Sequence, residues 1–416
     1  MAKTNRIVYK RHQIFVSVAN VLVAPFIRIK TGFRRRRVNI KKHEPFLVVS
    51  NHVSAFDPIL VTGTLNRQVY YLASELIFSK GFISRVLEYT FAPIPKVKGQ
   101  SDMASIRTMM QIIKEGGNVG IFVEGNSTMT GARSSVPPGM GKLVKLLKVP
   151  LVIFNFHGGY LSNPRWSIKR RTKRDFKGFI RQVVMPEEYA NMSADEINDL
   201  IVEGINVNAY LETDNNGFPG KHNAEGIHRI LFICPKCHAH NTLYGKNNSI
   251  TCTNCSFAGE YDKHGYTHSA IFNEPKSTVQ LDETNKLLYQ DHIIKTKDFA
   301  LSEEGQFSEV FRRRRRHFGK ATITLSRDGL AIKYNRPNVE DLFYPFSQID
   351  SMAIQQKEIL VIHIKDEQTK MINIKNIRQT SAYQFMIALQ ILQNIMQQQD
   401  VPAHEFRKLT AAEMGL

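Results

Sequence analysis

The chain is poor in cysteine, in long apolar runs and, near its N-terminus, in acidic residues. Its 416 residues include four cysteines. All four fall into two C-x-x-C pairs, which leaves none for a disulfide elsewhere and excludes a disulfide-stapled secreted fold. The longest apolar run, Ile14–Ile27, includes Ser17 and Asn20 and is shorter than the roughly 18 residues of a spanning helix. No small-residue cleavage site follows this run, so a secreted or polytopic protein is not expected.

Basic residues outnumber acidic ones by 56 to 37, for a formal net charge of +19. The excess is uneven, because the first 50 residues hold twelve Lys or Arg and a single acidic residue, Glu44. An anionic partner near the N-terminus is therefore expected, either a membrane or a nucleic acid. The run Ile14–Ile27 has Lys10, Arg11 and Arg28 at its ends, which suits a helix lying in the membrane interface. A helix that only covers the core has the same pattern.

The four cysteines form the pairs Cys234-Pro-Lys-Cys237 and Cys252-Thr-Asn-Cys255, with fourteen residues between them. Each C-x-x-C turn directs two thiolates at one point, and two such turns complete a tetrahedral site. The pattern predicts a zinc ribbon with a structural Zn²⁺, in a module too small to fold without it. His238 and His240 lie beside the first pair and could substitute as ligands. Reduced thiolates also favour a cytoplasmic protein.

Apolar runs and helical stretches alternate from Phe46 to about Leu211. This alternation predicts an α/β domain with a mixed sheet flanked by helices. After about Arg316 the chain is rich in predicted strands and closes with one helix from Ser381 to about Gln398, which resembles a pleckstrin-homology-like barrel. The basic run Arg312–Arg316 precedes these strands in a predicted linker.

These patterns divide the chain into six predicted segments. They are a basic membrane-interface segment (1–44), an α/β domain (45–213), a linker with the zinc ribbon (214–265), a connector (266–317), a small β-rich domain with a terminal helix (318–400) and a tail (401–416).

The most informative stretch is Asn51-His52-Val53-Ser54-Ala55-Phe56-Asp57-Pro58, directly after the first predicted core strand. On one helix His52 and Asp57 would point about 140° apart. We instead expect His52 in the loop that leaves the strand, with Asp57 as the N-cap of the next helix and Pro58 as its first residue. A carboxylate that is hydrogen-bonded to one imidazole nitrogen makes the other nitrogen a better base. The pair therefore predicts a general base acting on a bound hydroxyl, although a His and an Asp that only cap a turn share this spacing.

Three further segments follow in a recognisable order. They are Lys98-Gly99, the turn Phe122–Ser127 that leaves another predicted strand, and Val149-Pro150. Gly125 allows a tight turn whose backbone N–H groups can face an anion. Together with Asn51–Asp57, these segments resemble the four blocks of the glycerolipid acyltransferase family, which read N-H-x-x-x-x-D, Arg-Gly, F-P-E-G-T-R and V-P.

The resemblance implies transfer of an acyl group from acyl-CoA or acyl carrier protein to the hydroxyl of a lysophospholipid, with 1-acyl-sn-glycerol-3-phosphate as the expected acceptor. It implies that His52 is the base and that Asp57 orients it. It also implies that phosphate is held by Lys98 and by the turn at Gly125, and that the acyl path lies near Val149 and Pro150. The implied substrate-binding residues are Asn51, Lys98, Gly99, Glu124, Gly125, Asn126, Val149 and Pro150.

The chain departs from the family pattern at Lys98, Val123 and Ser127. Lys98 keeps the charge of the usual Arg but loses its two-pronged geometry, whereas Ser127 loses the charge altogether. These changes affect which acceptor the protein is expected to bind. The other cations that could replace the lost charge are Arg133, Lys142 and the run Arg165–Lys177.

Two other classes of function fit part of the sequence. A nucleic-acid-binding protein would explain the net charge and the zinc ribbon but not the four blocks. A non-catalytic lipid-binding scaffold would tolerate the two lost family residues. The sequence as a whole predicts an acyltransferase, peripheral on the cytoplasmic face of an anionic membrane, with no nucleic-acid partner expected.

Overall fold

The computed structural model describes residues 6–35, 44–96, 103–125, 127–133, 136, 138–169, 171, 176–211, 217–311, 314–336, 339–355, 357–365, 370–375 and 381–398. The described residues fall into two compact units. One lies within Met1–Ser162 and Thr172–Asn216, and the other within Asn163–Arg171 and Gly217–Leu416.

The first unit is built on a seven-stranded mixed sheet. Its strands are β1 (Arg34–Arg35), β2 (Leu47–Ser50), β3 (Val69–Ser74), β4 (Ile94–Lys96), β5 (Asn118–Phe122), β6 (Leu151–His157) and β7 (Lys177–Val184). They lie in the order β1-β7-β6-β2-β5-β3-β4. Strand β2 is parallel to both of its neighbours, β5 and β6, while β7 runs antiparallel to β6. The mixed sheet predicted from the alternating apolar runs is confirmed.

Helices cover both faces of this sheet. They are α1 (Lys10–Thr31), α2 (Asp57–Leu65), α3 (Phe82–Phe91), α4 (Met103–Lys114), α5 (Met140–Leu147), α6 (Gly159–Ser162), α7 (Pro186–Tyr189) and α8 (Ala194–Gly204). Side chains alternate along β2, so Leu47 and Val49 join one apolar core, which includes residues of α4, α5 and α8. Val48 joins the other core, with residues of α1 and α2. Because both faces of β2 are buried, the sequence of this strand is a continuous apolar run.

Helix α1 is longer than the apolar run inside it. It spans 22 residues, with a mean hydropathy of 1.6 over its most apolar stretch, and is long and apolar enough to cross a membrane by length and composition. The expectation that no segment reaches that length counted only Ile14–Ile27 and is corrected by the observed helix. Core helices of soluble proteins and signal sequences meet the same criterion, so the length alone assigns no membrane role.

The second unit contains two antiparallel sheets. The smaller has the order β12-β11-β10-β9-β8, with strands β8 (Leu243–Lys246), β9 (Ser249–Cys252), β10 (Ala258–Tyr261), β11 (Tyr266–His268) and β12 (Lys276–Ser277). Helix α9 (Thr278–Lys295) follows it. The side-chain Oδ1 of Asn285 in α9 accepts the backbone N–H groups of Phe232 and Ile233. This contact anchors the segment that leads into the first C-x-x-C pair.

The larger sheet of the second unit has seven strands and is followed by the last described helix, α10 (Ala382–Met396). Its strands are β13 (Ala300–Phe311), β14 (Arg314–Ser326), β15 (Gly329–Tyr334), β16 (Leu342–Pro345), β17 (Ile349–Gln355), β18 (Ile359–Ile364) and β19 (Lys370–Lys375). They lie in the order β16-β15-β14-β13-β19-β18-β17. The predicted β-rich region with a terminal helix is confirmed.

The larger sheet begins earlier in the chain than the patterns indicate. Strand β13 and the first residues of β14 come from the segment 266–317, which was expected to be a connector. Strand β13 has many polar residues and no apolar run, and its pairing with β14 and β19 on either side makes it a strand. Residues Arg314–Arg316 consequently lie in β14 and not in a linker.

Candidate active site

His52 lies in the loop between β2 and α2, where the central strand ends. In open parallel sheets, ligands bind at the carboxyl ends of the strands. Helix α2 begins at Asp57, with Phe56 at its N-cap position. The expected N-cap is therefore displaced by one residue, but the Asp57 carboxylate still lies in the first turn of the helix and reaches back to the loop.

The His52 imidazole is held by the Asp57 carboxylate. The distance from His52 Nδ1 to Asp57 Oδ2 is 2.8 Å. The same oxygen accepts the backbone N–H groups of Val53, at 2.7 Å, and Ser54, at 2.9 Å, while Ser54 Oγ donates to Asp57 Oδ1 at 2.6 Å. Because this carboxylate accepts a hydrogen bond from each of these partners, Nδ1 carries the proton and Nε2 is left as a hydrogen-bond acceptor.

The environment of the pair suits this division of roles. The Asp57 side chain is fully buried, whereas the His52 side chain is 20% exposed. Burial fixes the carboxylate in one position, and partial exposure keeps the imidazole accessible to a substrate.

Residues of and just after β5 fix the other side of His52. The Phe122 ring stacks on the imidazole with the ring centroids 4.6 Å apart. The His52 backbone N–H donates to Glu124 Oε1 at 3.1 Å, and the His52 carbonyl accepts the N–H of Thr128 at 3.1 Å. The stacking of Phe122 was not predicted, although its place as the last residue of a buried strand could have suggested it.

Asn51 positions the loop through the neighbouring strand β6. Its Nδ2 donates to the Phe156 carbonyl at 3.0 Å, and its Oδ1 accepts the Phe156 N–H at 2.8 Å. The amide is therefore occupied by backbone, so the expected substrate-binding residue acts first as a tie between two strands.

The turn at Gly125 has the expected conformation. Its φ is +68°, which glycine adopts without strain. The Gly125 N–H donates to the Phe122 carbonyl at 3.1 Å, so this N–H closes the turn and is not directed at an anion. The expected substrate-binding residues Lys98, Gly99 and Asn126 lie outside the described residues.

A cleft opens beside the His52 loop. The polar side chains that line it include those of Asn51, Glu124, Thr128, Arg133 and Tyr160. Among the described residues that line this cleft, Arg133 is the one cation. The sequence had offered Arg133 only as one of several cations, because nothing in the local pattern says which of them reaches the site.

Val149 and Pro150 are not brought to this cleft. They directly precede β6, which runs parallel to β2, so they lie at the edge of the sheet where β2 begins. The four residues of β2 separate that edge from the His52 loop, a length of about 13 Å at about 3.3 Å of rise per residue. Val149 is packed in the apolar core, and its carbonyl accepts the Tyr189 hydroxyl at 2.8 Å. These two residues support the sheet and do not line the cleft.

The segment that contains the His52–Asp57 pair is similar to known proteins. Residues 34–155 match the model of the family described as Acyltransferase. This segment is an acyltransferase-family domain. His52, Asp57 and Glu124 all lie within the matched range, and the resemblance inferred from the four blocks is confirmed.

Two relatives extend the comparison of the acyltransferase domain. A 1-acyl-sn-glycerol-3-phosphate acyltransferase of Bacillus subtilis (strain 168) is 25% identical over 169 residues, which cover 40% of this chain and 81% of that protein. The crystal structure of the 1-acyl-sn-glycerophosphate (LPA) acyltransferase from Thermotoga maritima is 20% identical. That match covers 47% of this chain and 76% of the other, with a TM-score of 0.36.

Outside the acyltransferase domain, the four cysteines come together as a group that could hold one metal ion. The ligand atoms of Cys234, Cys237, Cys252 and Cys255 all lie within 4.8 Å of one another. The Sγ–Sγ distances are 3.7 Å between Cys234 and Cys255 and 3.8 Å between Cys237 and Cys252. Tetrahedral metal–sulfur bonds of about 2.3 Å require a separation of about 3.8 Å, so the donor set fits a bound metal.

His240 does not join this group. Its ring lies against His292, with the centroids 4.0 Å apart. Burial, followed by the charge of His292, lowers its pKa to about 4.

Proposed function

We propose that this protein is an O-acyltransferase. It moves a fatty acyl group from the thioester of acyl-CoA or acyl carrier protein to the free hydroxyl of a lysophospholipid, with 1-acyl-sn-glycerol-3-phosphate as the acceptor. The observation that carries the proposal is the hydrogen-bonded His52–Asp57 pair, accessible at the carboxyl end of β2, within the segment that matches the acyltransferase family.

In the proposed reaction His52 acts as a general base. Its Nε2 takes the proton of the acceptor hydroxyl as the oxygen attacks the thioester carbonyl carbon. Asp57 holds the ring in the required tautomer and stabilises the imidazolium. When the tetrahedral intermediate collapses, the carbon–sulfur bond breaks and the leaving thiolate takes the proton from His52. The products are an ester and a free thiol, and no acyl-enzyme forms.

We also propose that α1 and α3 bind the protein to a membrane surface. Val21, Leu22, Phe26 and Ile29 of α1 are each 64 to 73% exposed, and Phe82 of α3 is 74% exposed. The two helices are in contact, since the ring of Phe15 in α1 packs edge-on against Tyr89 in α3. Exposed apolar side chains flanked by Lys10, Arg28 and Lys30 suit an anionic lipid surface on the cytoplasmic face.

For the cysteine group we propose a structural Zn²⁺. Four thiolates form a closed set with no position left for a substrate, which is typical of structural zinc sites. The ion would tie the turn at Cys234–Cys237 to the end of β9 and the turn that follows it. It takes no part in acyl transfer.

The acyltransferase proposal is tested by replacing the base. We expect His52→Ala to lower kcat for transfer from labelled acyl-CoA to 1-acyl-sn-glycerol-3-phosphate by about 10²- to 10⁴-fold, with the protein still folded by circular dichroism. The chain offers a matched control, because His268 Nε2 also lies 2.8 Å from an aspartate, Asp262, outside the family-matched segment. His268→Ala should keep full activity. Near wild-type turnover by folded His52→Ala protein would end the proposal.

A further inference from the structure

A lysophospholipid with a phosphate headgroup needs a cation in the acceptor site, and this chain has lost one. Ser127 stands where the family pattern has Arg. A serine hydroxyl can donate one hydrogen bond to a phosphate but supplies no charge. If the proposed function is correct, a cation from elsewhere in the chain must take over this part of the site.

The other described cations that the sequence offered are not among the residues that line the cleft beside His52. Arg165 donates to the Ile354 carbonyl within the second unit, and Arg171 donates to the Asn223 carbonyl at 3.0 Å in the same unit. Lys169 lies 3.9 Å from Glu225. Lys142 is exposed on α5, and it is not among the residues that line the cleft beside His52.

Arg133 differs from these residues because it lines the cleft together with Asn51 and Glu124. It is also partly buried. A guanidinium in a partly desolvated cleft interacts more strongly with an anion than an exposed one does, because less water screens the charges.

The backbone before Arg133 is tied directly to the His52 loop. The Thr128 N–H donates to the His52 carbonyl at 3.1 Å. Its Oγ1 then donates to the Ala132 carbonyl at 2.6 Å and accepts the Gly131 N–H at 2.9 Å. Thr128 thus closes a compact turn whose last residue immediately precedes Arg133.

Gly131 keeps this turn close to the wall of the cleft. Its φ is +100°, and a Cβ at this position would lie 2.6 Å from the Tyr160 ring. The Tyr160 hydroxyl donates to the Met129 carbonyl at 3.1 Å. The turn is therefore held both by His52 and by Tyr160, and Arg133 extends from a segment with a defined position relative to the base.

We propose that Arg133 binds the phosphate of the acceptor, in place of the arginine that the family pattern has at Ser127. This inference rests on the proposed function and adds the residue that selects a phosphate-bearing acceptor. A guanidinium offers parallel N–H donors that match two phosphate oxygens. Arg133 is a binding residue in this scheme and takes no part in proton transfer.

The kinetic test compares two acceptors that differ only in the phosphate, 1-acyl-sn-glycerol-3-phosphate and the corresponding monoacylglycerol. For Arg133→Met we expect KM for the phosphate acceptor to rise at least about tenfold, as for loss of hydrogen bonds to a charged group. KM for monoacylglycerol should not change. Arg133→Lys should fall in between, because lysine keeps the charge without the paired donors. Lys142→Met is the matched control and should change neither value.

A binding measurement separates this inference from the proposed function. Titration calorimetry with sn-glycerol 3-phosphate should show binding to the wild-type chain and to His52→Ala, and at least tenfold weaker binding to Arg133→Met. If the wild-type chain acylates no acceptor but binds this phosphate through Arg133, the proposed function fails and the inference stands. If Arg133→Met matches the wild type in affinity, or alters KM equally for both acceptors, the inference fails even in an active enzyme.

Discussion

Asp57 has a structural role and, in the proposed mechanism, a chemical role as well. Its carboxylate accepts the backbone N–H groups of Val53 and Ser54, which shapes the loop, and it accepts the N–H of His52 Nδ1, which sets the tautomer. Removing the side chain would therefore disturb the loop as well as the base. An isosteric change separates the two roles.

We expect Asp57→Asn to lower kcat by about 10²- to 10⁴-fold with a smaller change in KM. The oxygen that accepts the loop N–H groups also accepts the His52 Nδ1–H, so the asparagine Oδ1 can keep all three contacts. The change removes the negative charge that stabilises the imidazolium formed during proton transfer. Steady-state kinetics with both substrates varied, together with thermal melting, would measure this. A folded Asp57→Asn protein with wild-type kcat would remove the carboxylate from the mechanism.

At the scale of elements, helices α5 and α8 make an unusually close contact in the first unit. Gly141 of α5 lies against the Ala194 carbonyl at the start of α8, and a Cβ on Gly141 would be 1.8 Å from that oxygen. A backbone carbonyl cannot rotate away as a flexible side chain can. The two helices can therefore approach only because residue 141 has no side chain.

We expect Gly141→Ala to lower the free energy of unfolding by about 1–3 kcal/mol, the usual cost of overpacking. The roughly 1 kcal/mol that alanine gains over glycine in a helix offsets only part of the clash. Urea unfolding followed by circular dichroism would measure the change. Lys142→Ala on the exposed side of the same helix should stay within about 0.5 kcal/mol of the wild type. A more stable Gly141→Ala protein would mean that the contact is looser than described.

On the scale of the whole molecule, the exposed apolar residues of α1 lead to a prediction about location. We expect the double variant Leu22→Ser/Phe26→Ser to bind anionic liposomes at least about tenfold more weakly than the wild type. Burying one such side chain contributes about 1.5–3 kcal/mol. Both residues are at least 64% exposed, so folding should not change. Liposome sedimentation at fixed salt would measure binding.

Leu211→Ser provides the matched control for the liposome experiment, because Leu211 is 79% exposed and lies outside α1. An oligonucleotide in the same buffer tests the rival function. Preference for the oligonucleotide, with no liposome binding by the wild-type chain, would contradict the membrane proposal and favour a nucleic-acid partner.

The proposed zinc site is expected to stabilise part of the second unit. Trp166, the one tryptophan in the chain, is fully buried and its ring packs edge-on against Tyr261 of β10, with the centroids 5.7 Å apart. We expect a strong chelator to remove one Zn²⁺ per chain and to shift the Trp166 fluorescence emission to longer wavelength. Without the metal the small sheet is destabilised, and the buried Trp166 ring becomes exposed to water. Cys237→Ser should do the same without chelator. Unchanged emission after complete metal removal would show that the sheet is stable without the ion.

The fold was predictable where each element carries its own signal. The strands β2, β5 and β6 are short apolar runs, and the spacing of the two C-x-x-C pairs predicts a metal site. Strand β13 was not predictable, because its polar sequence becomes a strand only when β14 and β19 pair with it. Helix α1 was underestimated for a related reason, since polar and charged residues extend the helix beyond the apolar run.

The central pair of the candidate site follows from the local sequence. His52 and Asp57 are five residues apart, so a single loop brings them together, and their meeting depends little on the rest of the fold. The acyltransferase family was predictable on the same ground, because its blocks are short local patterns.

Which distant residues share that site depends on the tertiary structure. Asn51 bonds to Phe156, 105 residues away, only because β2 and β6 are adjacent and parallel. The same parallel register carries Val149 and Pro150 to the opposite edge of the sheet, and the turn closed by Thr128 brings Arg133 to the cleft. These contacts depend on strand order and on packing between residues far apart in the chain. A local pattern of residues therefore cannot predict them.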